Sequence, residues 1–226
     1  MKAIYSCSAA LAGMAIVLST GLLTQPAKAA NCSGAQLLAN NCPTNWDIVT
    51  SGGVQYKVTL PPSMLGSNAA FNPNILTTDD LSFNSLGGTN VNFQYNLSPA
   101  RSGNLNGSFT YQIQILTPGY SFAQTQSNIT GSNLSGGSFQ TTLSESSNLF
   151  TPRVAGSASG NPSPNAAVSP NQTVLNVTQA YNNTFPASLS SVGANYTATP
   201  GPLPIVGTGI ALGFSRKLRQ RIRQVS

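Results

Sequence analysis

The chain has 226 residues, 40% of them hydrophobic and only 6% charged, with 10 Lys and Arg, 4 Asp and Glu, and no histidine. Without histidine, every mechanism that uses imidazole as base or metal ligand is excluded, and four carboxylates are too few for a multi-carboxylate metal cage. The formal charge of +6 sits in the tails: between Ala30 and Thr199, Lys57, Arg101 and Arg153 stand against Asp47, Asp79, Asp80 and Glu145, a net charge of −1 that gives no footprint for nucleic acid.

Residues 1–29 form an expected signal peptide. Lys2 supplies a positive start, Ala9 to Leu23 is an uncharged apolar stretch, and Ala27-Lys28-Ala29 is a small-x-small cleavage site. The stretch is short for crossing about 30 Å of hydrocarbon, so a leader cleaved near Ala29 or Ala30 is expected rather than a permanent anchor. Cys7 leaves with it. Cys32 follows Asn31 rather than a lipoprotein-type small apolar box. Cys32 and Cys42 then remain as a pair, and an oxidising compartment favours their disulfide over two free thiols. One such pair and no histidine make a metal site improbable on ligand count.

Residues 30–185 are expected to be a β-rich domain. Val54, Tyr56, Val58 and Leu60 alternate with polar residues, as do Val91, Phe93, Tyr95 and Leu97, and again Phe109, Tyr111, Ile113 and Ile115. Alternation of period two, with one apolar and one uncharged polar face, predicts antiparallel strands wet on one side. Weaker strands are expected over 120–125, 138–143 and 173–178. Turn residues separate the runs, notably Ser51-Gly52-Gly53, Gly87-Gly88-Thr89-Asn90, Asn106-Gly107, Pro118-Gly119 and Gly136-Gly137. No window shows a helical stripe, so the expected fold is an all-β, antiparallel β-sandwich of jelly-roll-like type. Residues 151–171, punctuated by proline and glycine, are expected as a long loop, and residues 186–199 as a linker.

The C-terminal tail, 200–226, has three parts. Pro200-Gly201-Pro202 is rigid and helix-breaking. Leu203, Ile205, Val206, Ile210, Leu212 and Phe214 belong to an uncharged apolar helix, and Arg216, Lys217, Arg219, Arg221 and Arg223 follow as a stop-transfer cluster. The run from Ile205 to Phe214 is about 15 Å long as a helix, so spanning needs Leu203 at one end and snorkelling arginines at the other. A plain membrane anchor and a basic amphipathic helix lying on anionic lipid are the alternative readings.

This tail resembles the PEP-CTERM sorting signal of exported bacterial proteins, in its cyanobacterial form. The resemblance covers Pro200 to about Arg223, with Gly201 where that signal carries glutamate. It implies recognition by an exosortase-type membrane enzyme at Pro200, Gly201 and Pro202, and a cell-surface or extracellular destination.

Chemistry is sparse in the middle. Asp79-Asp80 is a weak Ca²⁺ candidate, completed by Asp47 or nearby carbonyls and amides; a turn or helix cap is the other reading. Asp79 and Glu145 are the nameable pair for a glycosidase, and Lys57 is the nameable base for a serine nucleophile. Trp46 and Tyr120, Tyr181 and Tyr196 are candidates for exposed sugar-stacking aromatics. Asn, Ser and Thr make up roughly a third of the chain, well above average usage. The expected function is that of a non-enzymatic exported surface or matrix protein without cofactor. Its partners are the membrane, the sorting enzyme, and extracellular polysaccharide or further copies of itself. A carbohydrate-binding or adhesin module is the alternative, and a hydrolase with an unrecognised site the second.

Overall fold

The computed structural model describes residues 30–61, 75–132, 137–156 and 163–201. The signal peptide, and the tail from Pro202 on with its apolar segment and stop-transfer cluster, lie outside the described residues. In chain order the elements are β1 (Ala30–Ser33), α1 (Gly34–Leu38), β2 (Asn45–Val49), β3 (Gln55–Thr59), β4 (Asp80–Gly87), β5 (Asn90–Ser102), β6 (Leu105–Ile115), β7 (Tyr120–Ser132), β8 (Ser138–Glu145), β9 (Arg153–Gly156), β10 (Ala166–Ala167), β11 (Val174–Thr184) and β12 (Ser188–Pro200). They form two six-stranded antiparallel sheets. The first runs β1-β4-β5-β12-β7-β10 and the second β2-β3-β6-β11-β8-β9. The expected all-β class and the two-sheet arrangement are both present.

The pairing is nested. β8 pairs with β9, β7 with β10, β6 with β11 and β5 with β12, as in one long ribbon folded back on itself. That ribbon passes between the sheets three times, and its first passage consists of two chain crossings, β5 to β6 and β11 to β12. Asn183 ties the two crossings together: its buried amide nitrogen donates to the carbonyls of Gly103 (2.8 Å) and Ala187 (2.9 Å). The β4–β5 hairpin turns on Gly87 and Gly88, whose φ values of 95° and 54° are positive, a region that costs other residues a steric penalty.

Alternation explains the core. Tyr56 and Val58 of β3, Phe83 of β4, Phe93 and Tyr95 of β5, and Phe109, Tyr111 and Ile113 of β6 all face inward and are buried. Phe93 stands at the centre, with its ring 4.2 Å from Tyr111, 5.9 Å from Trp46, 6.2 Å from Phe109 and 6.3 Å from Phe83. Polar contacts cross this interior between the sheets: Gln179 of β11 donates to Ser127 Oγ of β7 (3.0 Å), and to Thr141 Oγ1 of β8 in its own sheet, while the Tyr111 hydroxyl of β6 meets that of Tyr196 of β12. Buried polar groups need such partners.

Three expectations are corrected. Residues 186–199 are no linker: β12 occupies nearly all of them and lies inside the first sheet, between β5 and β7. Its inward residues are Val192, Ala194, Tyr196 and Ala198, small enough on average to resemble a polar stalk, yet they fill the space opposite the aromatic layer. Gly193 is required there, because a Cβ on it would meet the Phe93 carbonyl oxygen of β5 at 2.6 Å. Within 151–171, expected as loop throughout, the described residues include β9 and β10, which form one edge of each sheet. A helix absent from the sequence reading, α1, forms for five residues because Ser33 and Gln36 make a capping box.

The expected disulfide joins Cys32 of β1 to Cys42, with Cα atoms 5.7 Å apart, inside the range a disulfide spans. The cysteines are 10 positions apart in sequence, so closing the loop restricts the unfolded chain by about 2–3 kcal/mol on the entropic account. Reduction is expected to lower the unfolding free energy by about that much, measured by urea titration with and without reductant. β1 is an edge strand held by β4 alone, so hydrogen exchange should rise first at residues 30–33.

Candidate functional site

The carboxylates singled out in the sequence are not brought together. Asp79 is buried at the start of β4 and accepts from the Tyr95 hydroxyl (2.7 Å), the Ser98 amide (3.0 Å), the Leu76 amide (2.9 Å) and the Arg101 guanidinium. Asp80 points the other way and accepts from Asn96 Nδ2 at 2.9 Å. A shared Ca²⁺ site at Asp79-Asp80 is therefore corrected to a turn: adjacent strand residues face opposite ways, and Asp79 is already saturated by protein donors. No group of three or more metal-ligating side chains occurs among the described residues. Glu145 lies in the other sheet and holds the following loop, accepting from the amides of Ser147 (2.6 Å), Leu149 (3.2 Å) and Asn176 (3.3 Å). It cannot pair with Asp79 across one glycosidic bond.

The aromatic candidates are corrected as well. Trp46, Tyr181 and Tyr196 are buried, and Tyr120 is half-buried against the core. Trp46 packs on Phe93, and its indole N–H donates to the Pro43 carbonyl at 2.6 Å. The sequence did carry a signal for this, since Trp46 and Ile48 alternate with Asn45 and Asp47. Lys57 lies on the outer face opposite Asp47.

What the sheets present outward is amide and hydroxyl. On the first sheet the strand register builds transverse rows. Ser33, Asp80, Asn96, Ser191 and Thr130 form one; Asn31, Ser82, Gln94, Gly193 and Asn128 the next. Asn84, Asn92, Asn195 and Gln126 form a third, and Asn90, Thr197 and Gln124 a fourth. Asp80 is the one charged residue in these rows. The amides hold each other in fixed orientations. Asn92 Nδ2 donates to Asn195 Oδ1 (2.8 Å), Asn195 Nδ2 to Gln126 Oε1 (3.3 Å), and Gln126 Nε2 to the Ser163 carbonyl (2.8 Å). On the second sheet the Asn45, Thr59, Gln112 and Asn176 row runs beside Thr110 and Thr178.

Each face carries a depression. The larger, about 360 Å³, crosses the second sheet between Thr59, Pro61, Gln112, Ser146, Asn176 and Thr178. The smaller, about 180 Å³, lies in the fourth row of the first sheet, among Asn90, Gln124, Gln126, Asn165, Asn195 and Thr197, with Leu86 at its rim. No Asp, Glu, Lys or Arg lines either one.

β1 begins and β12 finishes at the same end of the sandwich. β12 finishes beside Tyr120, and the Gly201 amide donates to the Gly119 carbonyl at 2.6 Å. β1 starts opposite Phe83 and runs toward Asp80, so its beginning points to the Gly87–Gly88 hairpin. That hairpin lies at the same end, where the Thr89 hydroxyl donates to the Ala198 carbonyl.

No family model matches the chain, and no curated protein does. Among solved structures it is similar to the Slr1438 protein from Synechocystis sp. PCC 6803, at 10% identity over 72% of this chain and 68% of that one, with a TM-score of 0.20. No helix among the described residues is long and apolar enough to cross a membrane.

Proposed function

We propose that this chain is an exported, non-enzymatic protein of the cell surface or extracellular matrix. It is delivered by its leader and held, at least before processing, by its PEP-CTERM-like tail. Its sandwich is a jelly roll: the eight nested strands β5 to β12 make the two Greek keys of that fold, and β1 to β4 widen both sheets. The observation that carries the reading is the pair of outward faces built from amides and hydroxyls. Such faces stay wet without charge, and they match neutral polysaccharide or neighbouring copies better than any ionic partner. That β1 begins and β12 finishes at one end of the sandwich supports it, because a tail anchored there would leave the opposite end free.

The tail is the part to test. Replacing Arg216, Lys217, Arg219, Arg221 and Arg223 by glutamine removes the cations that stop transfer. The variant is expected to be released early or misdirected, read by fractionation of membrane, surface and medium. A variant distributed like its parent rejects the anchoring role, and an intact 226-residue product in the cytosol rejects export.

A further inference from the structure

We infer that the smaller depression, on the outer face of the first sheet, is a binding site for one unit of an uncharged glycan. The inference rests on the proposed surface role and assigns it a place. Asn90, Thr197 and Gln124 lie on one row across β5, β12 and β7, so the outer two are two strand spacings apart, about 10 Å. Between them lies a recess of about 180 Å³.

The polar atoms at its two ends are the unusual feature. Asn90 Oδ1 is buried and has no hydrogen-bond partner, and native structures rarely leave a buried acceptor unpaired without a reason. At the other end, Gln124 Oε1 accepts from Asn165 Nδ2 at 3.1 Å. That bond fixes the Gln124 amide, and its Nε2 donates to nothing among the described residues. The Gln124 amide therefore offers a donor at one end, and at the other a turn of the half-buried Asn90 side chain would bring its unpaired acceptor, now shielded from solvent, into the recess. A sugar hydroxyl is both donor and acceptor, so a pyranose or furanose unit with several hydroxyls meets both ends. The floor is already ordered by the relay from Asn92 through Asn195 to Gln126, which lowers the entropy lost on binding. Leu86, 54% exposed at the rim, offers an apolar surface to the C–H face of the ring. An anionic sugar finds no cation in the lining to offset desolvation of its carboxylate. The groove on the second sheet lacks these features: its Gln112 amide nitrogen already donates to Asn176 Oδ1.

The test uses the full chain in a detergent without a sugar headgroup. Binding is measured by calorimetry against dextran, cellohexaose, xylohexaose and mannohexaose, with polygalacturonate as the acidic comparator. At least one neutral glycan is expected to bind, with a Kd that does not change with salt, since no ion pair forms. Gln124→Ala, Thr197→Val and Asn90→Ala are each expected to weaken it by about tenfold, while Gln112→Ala on the opposite sheet leaves it within about twofold. Near-UV circular dichroism of the buried Trp46 confirms that each variant is folded. Binding that survives the first three substitutions and is lost with Gln112→Ala or Asn176→Ala overturns this site and keeps the glycan reading. Retention of polygalacturonate alone overturns the site on charge. If no neutral glycan binds, the site and the glycan half of the proposed function both fall, while the fractionation result for the tail still stands; concentration-dependent sedimentation in that case assigns the faces to neighbouring copies.

Discussion

Asp79→Ala is expected to destabilise the domain by about 3–5 kcal/mol, the range for removing one partner of a buried ion pair. The carboxylate is almost fully buried and gathers four donors from three segments: the Leu76 amide ahead of β4, the Tyr95 hydroxyl within β5, and the Ser98 amide and Arg101 guanidinium at the far end of β5. Truncation removes the carboxylate that faces the Arg101 charge, whose side chain is 12% exposed. It also takes one acceptor from the Tyr95 phenol and from two backbone N–H groups. Asp79→Asn keeps the shape but removes the charge and turns an N–H toward backbone amide or guanidinium donors, so most of the loss should persist. Arg101→Met should cost less, because the carboxylate retains its three other donors. Urea unfolding of the three variants checks the order. A loss under about 1 kcal/mol for Asp79→Ala, the scale of a surface pair, contradicts the central place given to this cluster.

The same cluster marks the limit of what the sequence carried. The long alternating runs around Tyr56, Phe93 and Tyr111 were legible because a half-buried strand must place apolar residues at every second position, and all three are core strands. β12 was not, because its inward positions hold two alanines and its outward ones Ser, Gly, Asn and Thr; period two is faint when both faces are small. β11 hides its pattern differently, with Gln179 and Asn183 turned inward at positions where alternation calls for apolar residues. Their partners, Ser127, Thr141 and the carbonyls at the two crossings, are 38 or more residues away for the first two contacts, and no local pattern announces them. Asp79 and Arg101 were each visible as rare charges in a neutral chain, but their pairing is a fact of β4–β5 register. The amide recess was least legible of all. Asn and Gln are so common here that no single one stands out, and only the transverse rows select Asn90, Thr197 and Gln124.

Buried phenols make alkaline pH the domain's weak side. Burial pushes the hydroxyls of Tyr56, Tyr95, Tyr111 and Tyr196 well above the usual tyrosine range, and neighbouring Asp79 adds to the effect on Tyr95 and Tyr111 to that on Tyr196. The Tyr111 and Tyr196 oxygens lie 2.5 Å apart, linking the two sheets. In the unfolded chain a tyrosine ionises near pH 10, whereas in the folded domain these four keep their protons beyond that. The folded state therefore binds more protons above about pH 10, and its stability, intact below that pH, falls as pH rises. Each such group contributes a slope of about 1.4 kcal/mol per pH unit, so four together give about 5.5 kcal/mol per unit. Against a typical total of about 5–15 kcal/mol, the domain is expected to unfold within about one to three pH units above 10. Tyrosinate absorbance from these four should then appear in one cooperative step, together with loss of the β-sheet circular dichroism. Gradual ionisation near pH 10 with the sheet signal intact contradicts their burial. Tyr111→Phe with Tyr196→Phe removes two of the four protons at nearly constant shape, so the alkaline midpoint should rise and the transition become less steep in pH, even though the inter-sheet hydrogen bond, worth about 1 kcal/mol, is lost at neutral pH.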